Sequence, residues 1–327
     1  MPRVVFYPFC SQQNKVTDKF LMSDSCVRIY AHLAKLIDDS LLVLPERGAC
    51  EGNVDTSAVY RIWTSYVSNL ERKFHWDPSR LRELARLAGD GGVVVTSNEF
   101  LPIPMRHLHP HVKTIVEATL PAKPEQLSLY SEGWNCANFV YALSSKLRDD
   151  VWPFGYETNL LQLRSSARVP RSILFSGRIS DPDYTNYAMF AAAAKKLRGV
   201  RVYVSDPTGY GRRKGIVPAS WSTSESYERQ LATCEVSVHL TENVGSTVSF
   251  REACAAGCCP VVLRKHEYTE VIGPKWPHFA DRADLVASIE GALQAPAQVP
   301  LKQMLSFSFD EAAKTAVADI RRILSCP

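Results

Sequence analysis

The sequence predicts an α/β protein made of two domains, each a parallel sheet covered by helices. Short apolar runs at 3–9, 93–96 and 112–117 lack the polar alternation of a half-solvated strand, so they read as strands buried on both faces. Helical stretches separate most of these runs, which is the order that crossover connections between parallel strands require. A length of 327 residues is long for one core and comfortable for two.

The first strand is expected at 3–9, followed by a polar loop at 11–17 and a helix at 18–36. The run Leu41-Leu-Val-Leu-Pro45 reads as the second strand, and 59–74 and 78–87 read as helices, the former rich in aromatic residues. Asp90-Gly-Gly92 opens the strand at 93–96, and a further strand follows at 112–117. Residues 120–132 carry prolines and polar groups, a loop or short helix, before a helix at 138–147. The Arg- and Ser-containing stretch 160–170 is the expected hinge.

The second half repeats the pattern, with strands at 173–175, 200–204 and 236–240 and helices at 187–197 and 225–234. A Gly-framed basic loop occupies 209–215, a helix spans 282–293, and 295–300 is a loose connection. The last helix begins near Phe307, with Ser308 or Asp310 as its cap and an apolar stripe at Ala313, Val317, Ile320 and Leu324.

The chain is organised around 241–260. A strand runs into an acidic loop holding Gly245, Ser246 and Thr247, then into a helix of small residues from Phe250 to Ala256 with Gly257 as its C-cap. Free backbone N–H groups and a positive dipole end at such a junction suit a diphosphate. Glu252, one turn inside, is placed to accept hydrogen bonds from ribose hydroxyls. An ordinary loop–helix–strand unit is the competing reading of this stretch alone.

Four stretches in one order resemble the C-terminal half of retaining GT-B glycosyltransferases, the glycogen synthase and sucrose synthase group. They are Ile173-Leu-Phe-Ser-Gly177-Arg178, Glu242-Asn-Val-Gly245, Glu252-Ala-Cys-Ala-Ala-Gly257-Cys-Cys-Pro260-Val-Val, and Tyr268-Thr-Glu270-Val-Ile272. The resemblance implies two facing Rossmann-like domains with ligands in the cleft between them. The expected divisions are an acceptor domain at 1–165, a nucleotide-sugar domain at 166–305, and a terminal helix at 306–327 crossing back to the first.

The same resemblance assigns candidate roles. Gly177, Arg178, Glu242, Gly245, Ser246, Thr247 and Glu252 are expected to bind the donor, Glu242 through sugar hydroxyls and Arg178 through the departing diphosphate. The nine residues between Glu242 and Glu252 exceed the family's spacing. The family's phosphate lysine falls near Tyr184 here, and Lys214, Arg212, Arg213 or Lys265 are candidate replacements. Gln12, Gln13 and Asn14 stand where the family presents a glycine pair. Asp181 and Asp183 spell a metal-binding pair but read as a helix-entry turn, so no metal or other cofactor is expected beyond a nucleoside-diphosphate sugar, UDP-linked by preference. Glu117, with Glu99 as its rival, would orient or deprotonate the acceptor hydroxyl.

The acceptor stays open between a glycan or small molecule and a hydroxymethylated pyrimidine in DNA, as in bacteriophage base glucosyltransferases of this fold. Arg106, His107 and Lys113 are the candidate acceptor contacts, and a net charge of +4 suits either partner. A nucleotide-sugar-binding protein without transferase activity is the alternative. Nine cysteines without a CxxC pair read as free thiols of a reducing cytoplasm, and no apolar run approaches the roughly 20 residues of a membrane span.

Overall fold

The computed structural model describes residues 3–8, 25–45, 59–62, 78–118, 127–176, 179, 185–205, 224–242 and 248–326. Two units divide the chain: Met1–Trp152 with Ala312–Pro327, and Pro153–Glu311.

In the first unit the elements are β1 (Val4–Tyr7), α1 (Ser25–Ala34), β2 (Ser40–Pro45), β3 (Val59–Ile62), α2 (Pro78–Ala88), β4 (Val93–Thr96), α3 (Pro102–Leu108), β5 (Lys113–Ala118), α4 (Leu127–Cys136) and β6 (Phe139–Ala142). All the strands pair in parallel in the order β3-β2-β1-β4-β5-β6, which is that of a doubly wound dinucleotide-binding sheet. Val5 sits between Leu41 and Val94, and β1 and β4 are buried throughout. The sequence turns back at the junction of β1 and β4.

Two expectations are corrected here. Residues 59–62 form a strand on the outer flank of β2, with Val59 opposite Leu42, where a helix was expected to begin; 63–77 lie outside the described residues. Phe139-Val-Tyr-Ala142 is likewise a strand, pairing Tyr141 with Glu117, where a helix over 138–147 was expected. Four residues are too few to display either period, and β-branched and aromatic side chains favour the strand. Helix α3 begins with Pro102 in its first turn, where the missing N–H costs nothing.

The second unit holds a 3₁₀ segment (Thr158–Ser165), β7 (Ser172–Ser176), α5 (Tyr187–Ala194), β8 (Arg201–Ser205), α6 (Ser224–Thr233), β9 (Val236–His239), α7 (Val248–Ala255), β10 (Cys259–Val262), α8 (His266–Ile272), α9 (Leu285–Gln294) and α10 (Leu301–Leu305). Its parallel sheet runs β10-β9-β7-β8. A single bridge from Val262 to Phe279 extends it past β10. This is the flavodoxin-like order, with its switch point between β7 and β9.

Helix α11 (Phe309–Ser325) closes the chain. In the first unit Trp152 stacks on Tyr141 at 3.9 Å between ring centroids and donates its indole N–H to Asp319 at 3.0 Å. The Lys113 ammonium donates to the carbonyls of Ile323, in the last turn of α11, and Cys326 just past it, where a cation also opposes the helix dipole.

Candidate functional site

Ligands of doubly wound sheets bind beyond the carboxyl ends of the strands at the switch point. In the second unit that places attention on the residues following β7, β9 and β10. Every residue of α7 except Ser249 is buried, including Glu252 and Arg251. Helix α7 is fixed at its C-terminal end. Gly257, at φ 86°, closes it in a Schellman motif, with Cys258 N–H donating to Ala253 and Gly257 N–H to Cys254. Arg164 donates to the Cys254 carbonyl at 3.0 Å, and Arg168 to that of Ala256. The arginines of the expected hinge thus cap the helix that carries Glu252.

Arg251 is wholly buried. Its guanidinium donates to the Phe154 carbonyl at 3.0 Å, approaches Glu270 at 3.5 Å, and lies 4.5 Å from the centre of the Phe307 ring. Burial pulls its pKa down to about 10, against the opposing charge of Glu270. Beside it His239, at the carboxyl end of β9, packs edge-on against Phe250. Burial lowers the His239 pKa to about 3, so its imidazole is neutral, and its Nε2 has no hydrogen-bond partner among the described residues.

Glu242, just past β9, gathers three donors. Asn186 gives its amide to Oε1 at 3.1 Å, Lys265 pairs with Oε2 at 2.9 Å, and Arg282 pairs with Oε1. Each donor comes from a different connection: Asn186 precedes α5, Lys265 follows β10, and Arg282 follows the bridge at Phe279. Neither Asn186 nor Arg282 was singled out from the sequence. A charge just past each strand's carboxyl end is a visible signal, but it converges only once the strand order is known. Gly177, Arg178, Asp181, Asp183, Gly245, Ser246 and Thr247 lie outside the described residues, as do Gln12, Gln13, Asn14, Tyr184, Arg212, Arg213 and Lys214.

In the first unit Glu99 and Glu117 share the carboxyl edge of the sheet, past β4 and at the end of β5. Both are buried. Glu99 sits in a turn where Phe100 N–H donates to the Asn98 side chain at 3.0 Å. Helix α4 passes so closely that a Cβ on Gly133 would overlap the Glu99 carbonyl. Burial and then Glu99 push the phenol of Tyr130 up to about 12. Glu117 accepts from Tyr141 at 3.3 Å, and Tyr141 meets Tyr30 at 3.1 Å. Burial raises both phenols, and the Glu117 charge adds to the effect.

Lys113 stands at the opposite, amino end of β5, and Arg106 and His107 lie in the last turn of α3 leading to it. Arg106 donates to the Asn135 carbonyl at 3.0 Å. The structure therefore brings Glu99 and Glu117 to one edge of this sheet and Arg106, His107 and Lys113 to the other. Among the described residues no helix is long and apolar enough to cross a membrane, and no three His, Cys, Asp or Glu side chains are grouped to hold a metal ion.

No protein-family model matches the chain, and no curated protein sequence matches it. Solved structures do. The sucrose-phosphate synthase of Thermosynechococcus elongatus matches with a TM-score of 0.74 at 12% identity, covering 99% of this chain and 99% of its own. AviGT4, a glycosyltransferase of avilamycin A biosynthesis, gives 0.65 at 16%, covering 100% and 99%. The catalytic domain of starch synthase IV from Arabidopsis thaliana, bound to ADP and acarbose, gives 0.63 at 12%, covering 99% and 100%. The chain has the GT-B fold of these glycosyltransferases.

Proposed function

We propose that this protein is a glycosyltransferase that moves a sugar from a nucleoside-diphosphate sugar to an acceptor hydroxyl. The observation that carries this reading is Glu252, a buried carboxylate on the helix that follows the switch-point strand β9. A carboxylate one turn into that helix is suited to accept from ribose hydroxyls, and the ADP bound to starch synthase is consistent with such a ligand. In the reaction the acceptor oxygen bonds to the anomeric carbon and gives its proton to the carboxylate that orients it, while the bond from that carbon to the phosphate oxygen breaks. The electron pair leaves with the nucleoside diphosphate, whose growing charge needs fixed cations. Arg178 is our candidate for that role.

Glu117 and Glu99, both buried at the carboxyl edge of the first sheet, are our candidates for orienting the acceptor hydroxyl. A UDP-linked donor, retention of configuration and turnover without a metal belong to the proposal on the strength of the family resemblance. We read the acceptor as a glycan or small-molecule hydroxyl. The DNA reading drew on Arg106 and Lys113, whose charges are engaged with backbone carbonyls at the amino edge of the first sheet.

Thermal-shift screening against nucleoside diphosphates and their sugars tests the reading. At least one should stabilise the parent, and Glu252→Gln should weaken it by about 1–3 kcal/mol, the scale of charge-assisted hydrogen bonds. Equal affinity in a folded Glu252→Gln variant removes Glu252 from the site.

A further inference from the structure

The carboxylate of Glu242 is already spoken for. Oε1 carries the amide of Asn186 and the guanidinium of Arg282, and Oε2 carries the ammonium of Lys265. Two cations on one carboxylate leave a net positive charge past the carboxyl ends of β9 and β10, where the sheet order places ligands. All three groups are partly exposed, with 27% of the Glu242 side chain, 32% of Lys265 and 55% of Arg282 open to solvent. Ion pairs that exposed add little to stability, so folding alone gives weak grounds for assembling them.

The backbone supports the arrangement. Asn186 adopts a left-handed φ of 54°, a region that side chains other than glycine and asparagine seldom occupy. From there its amide bridges the Leu240 carbonyl at 2.7 Å and Glu242 at 3.1 Å, which fixes the carboxylate against the end of β9. An ammonium and a planar guanidinium held side by side match phosphoryl oxygens better than they match neutral hydroxyls.

We propose that Glu242 is a positioning residue, which clamps Lys265 and Arg282 as a cationic pair for the diphosphate of the donor and does not itself bind the sugar. This rests on the glycosyltransferase reading for the identity of the ligand, while the clamp itself requires only a diphosphate. Glu242 is then the reason that the two cations point together, and its loss frees two flexible side chains into water.

Calorimetry on the full chain with UDP, ADP and GDP, the glucose conjugate of whichever binds, and inorganic pyrophosphate tests the clamp. Lys265→Ala should weaken diphosphate binding at least tenfold, and Lys265→Arg should recover most of the loss. Glu242→Ala should also weaken it, although removing a negative charge near an anion would by Coulomb's law alone strengthen it. The loss should be equal with and without the sugar, and the Glu242→Ala/Lys265→Ala double variant should lose less than the two single losses combined, as coupled residues do. Glu242→Gln, which keeps an acceptor but no ion pair, should fall between parent and Glu242→Ala.

Unchanged or tighter diphosphate binding in Glu242→Ala overturns the clamp, as does a loss confined to the sugar conjugate. Lys265-dependent binding of pyrophosphate without any nucleotide would keep the clamp and sink the donor reading. Nucleotide binding indifferent to every one of these variants would do the reverse. A parent that binds none of the probes overturns both.

Discussion

Gly155 leaves the space that the Arg251 side chain fills: a Cβ there would stand 2.6 Å from Arg251 Cδ and 2.7 Å from the Phe307 carbonyl oxygen. The first neighbour is held by its hydrogen bond to Phe154 and the second is backbone, so neither yields cheaply. Gly155→Ala should therefore destabilise the protein by about 1–3 kcal/mol, the usual range for overpacking. Urea denaturation checks this, and a variant as stable as the parent would show that the segment gives way freely.

His239 makes stability depend on acidity. Its folded pKa of about 3 lies below the ordinary 6.5 because burial penalises the charged ring. Below 6.5 the unfolded chain therefore binds a proton that the folded chain refuses. This contribution is intact above pH 6.5 and is lost as pH falls towards 3, at up to about 1.4 kcal/mol per pH unit. Replacing His239 by Leu should flatten the profile of stability over that window relative to the parent. Parallel profiles would mean that the ring takes up its proton in the folded state.

Cys234, Cys254, Cys258 and Cys259 are buried, whereas Cys326 is exposed. Burial raises all four buried thiols, Cys259 to about 11, so little thiolate is available to react. Alkylation followed by peptide mapping should label Cys326 at once and these four only after unfolding. Prompt labelling of any of the four in the native protein would contradict the packing around α7.

Arg178→Ala should lower turnover more than donor affinity, because the charge it meets grows as the bond breaks. Activity should survive chelation. Activity that vanishes with EDTA and returns with manganese would bring Asp181 and Asp183 into the site instead.

Strands β1, β2, β4 and β7 were legible because three or more consecutive apolar residues admit few other readings. Strands β3 and β6 were not, since Val59–Ile62 and Phe139–Ala142 merge at their ends with residues that prolong an apparent helical pattern. Gly257 announced the C-cap of α7, yet nothing local announced Arg164 and Arg168 as the donors to its carbonyls. Glu252 was singled out from its neighbours along the chain. The partners of Glu242 were not, because Asn186, Lys265 and Arg282 meet it only after three separate connections return to one edge of the sheet.

The central claim is sugar transfer. Its most direct measurement offers radiolabelled nucleotide sugars to the parent and to Glu252→Gln, with a glycan, plain DNA and hydroxymethylated DNA as separate acceptors. The account predicts that label leaves at least one nucleotide for the glycan, and that Glu252→Gln slows the transfer by about tenfold or more, as the loss of one charge-assisted contact implies. Transfer to the modified duplex alone would contradict the glycan acceptor, and the absence of turnover on any donor, in a parent that still binds nucleotide, would contradict the enzyme.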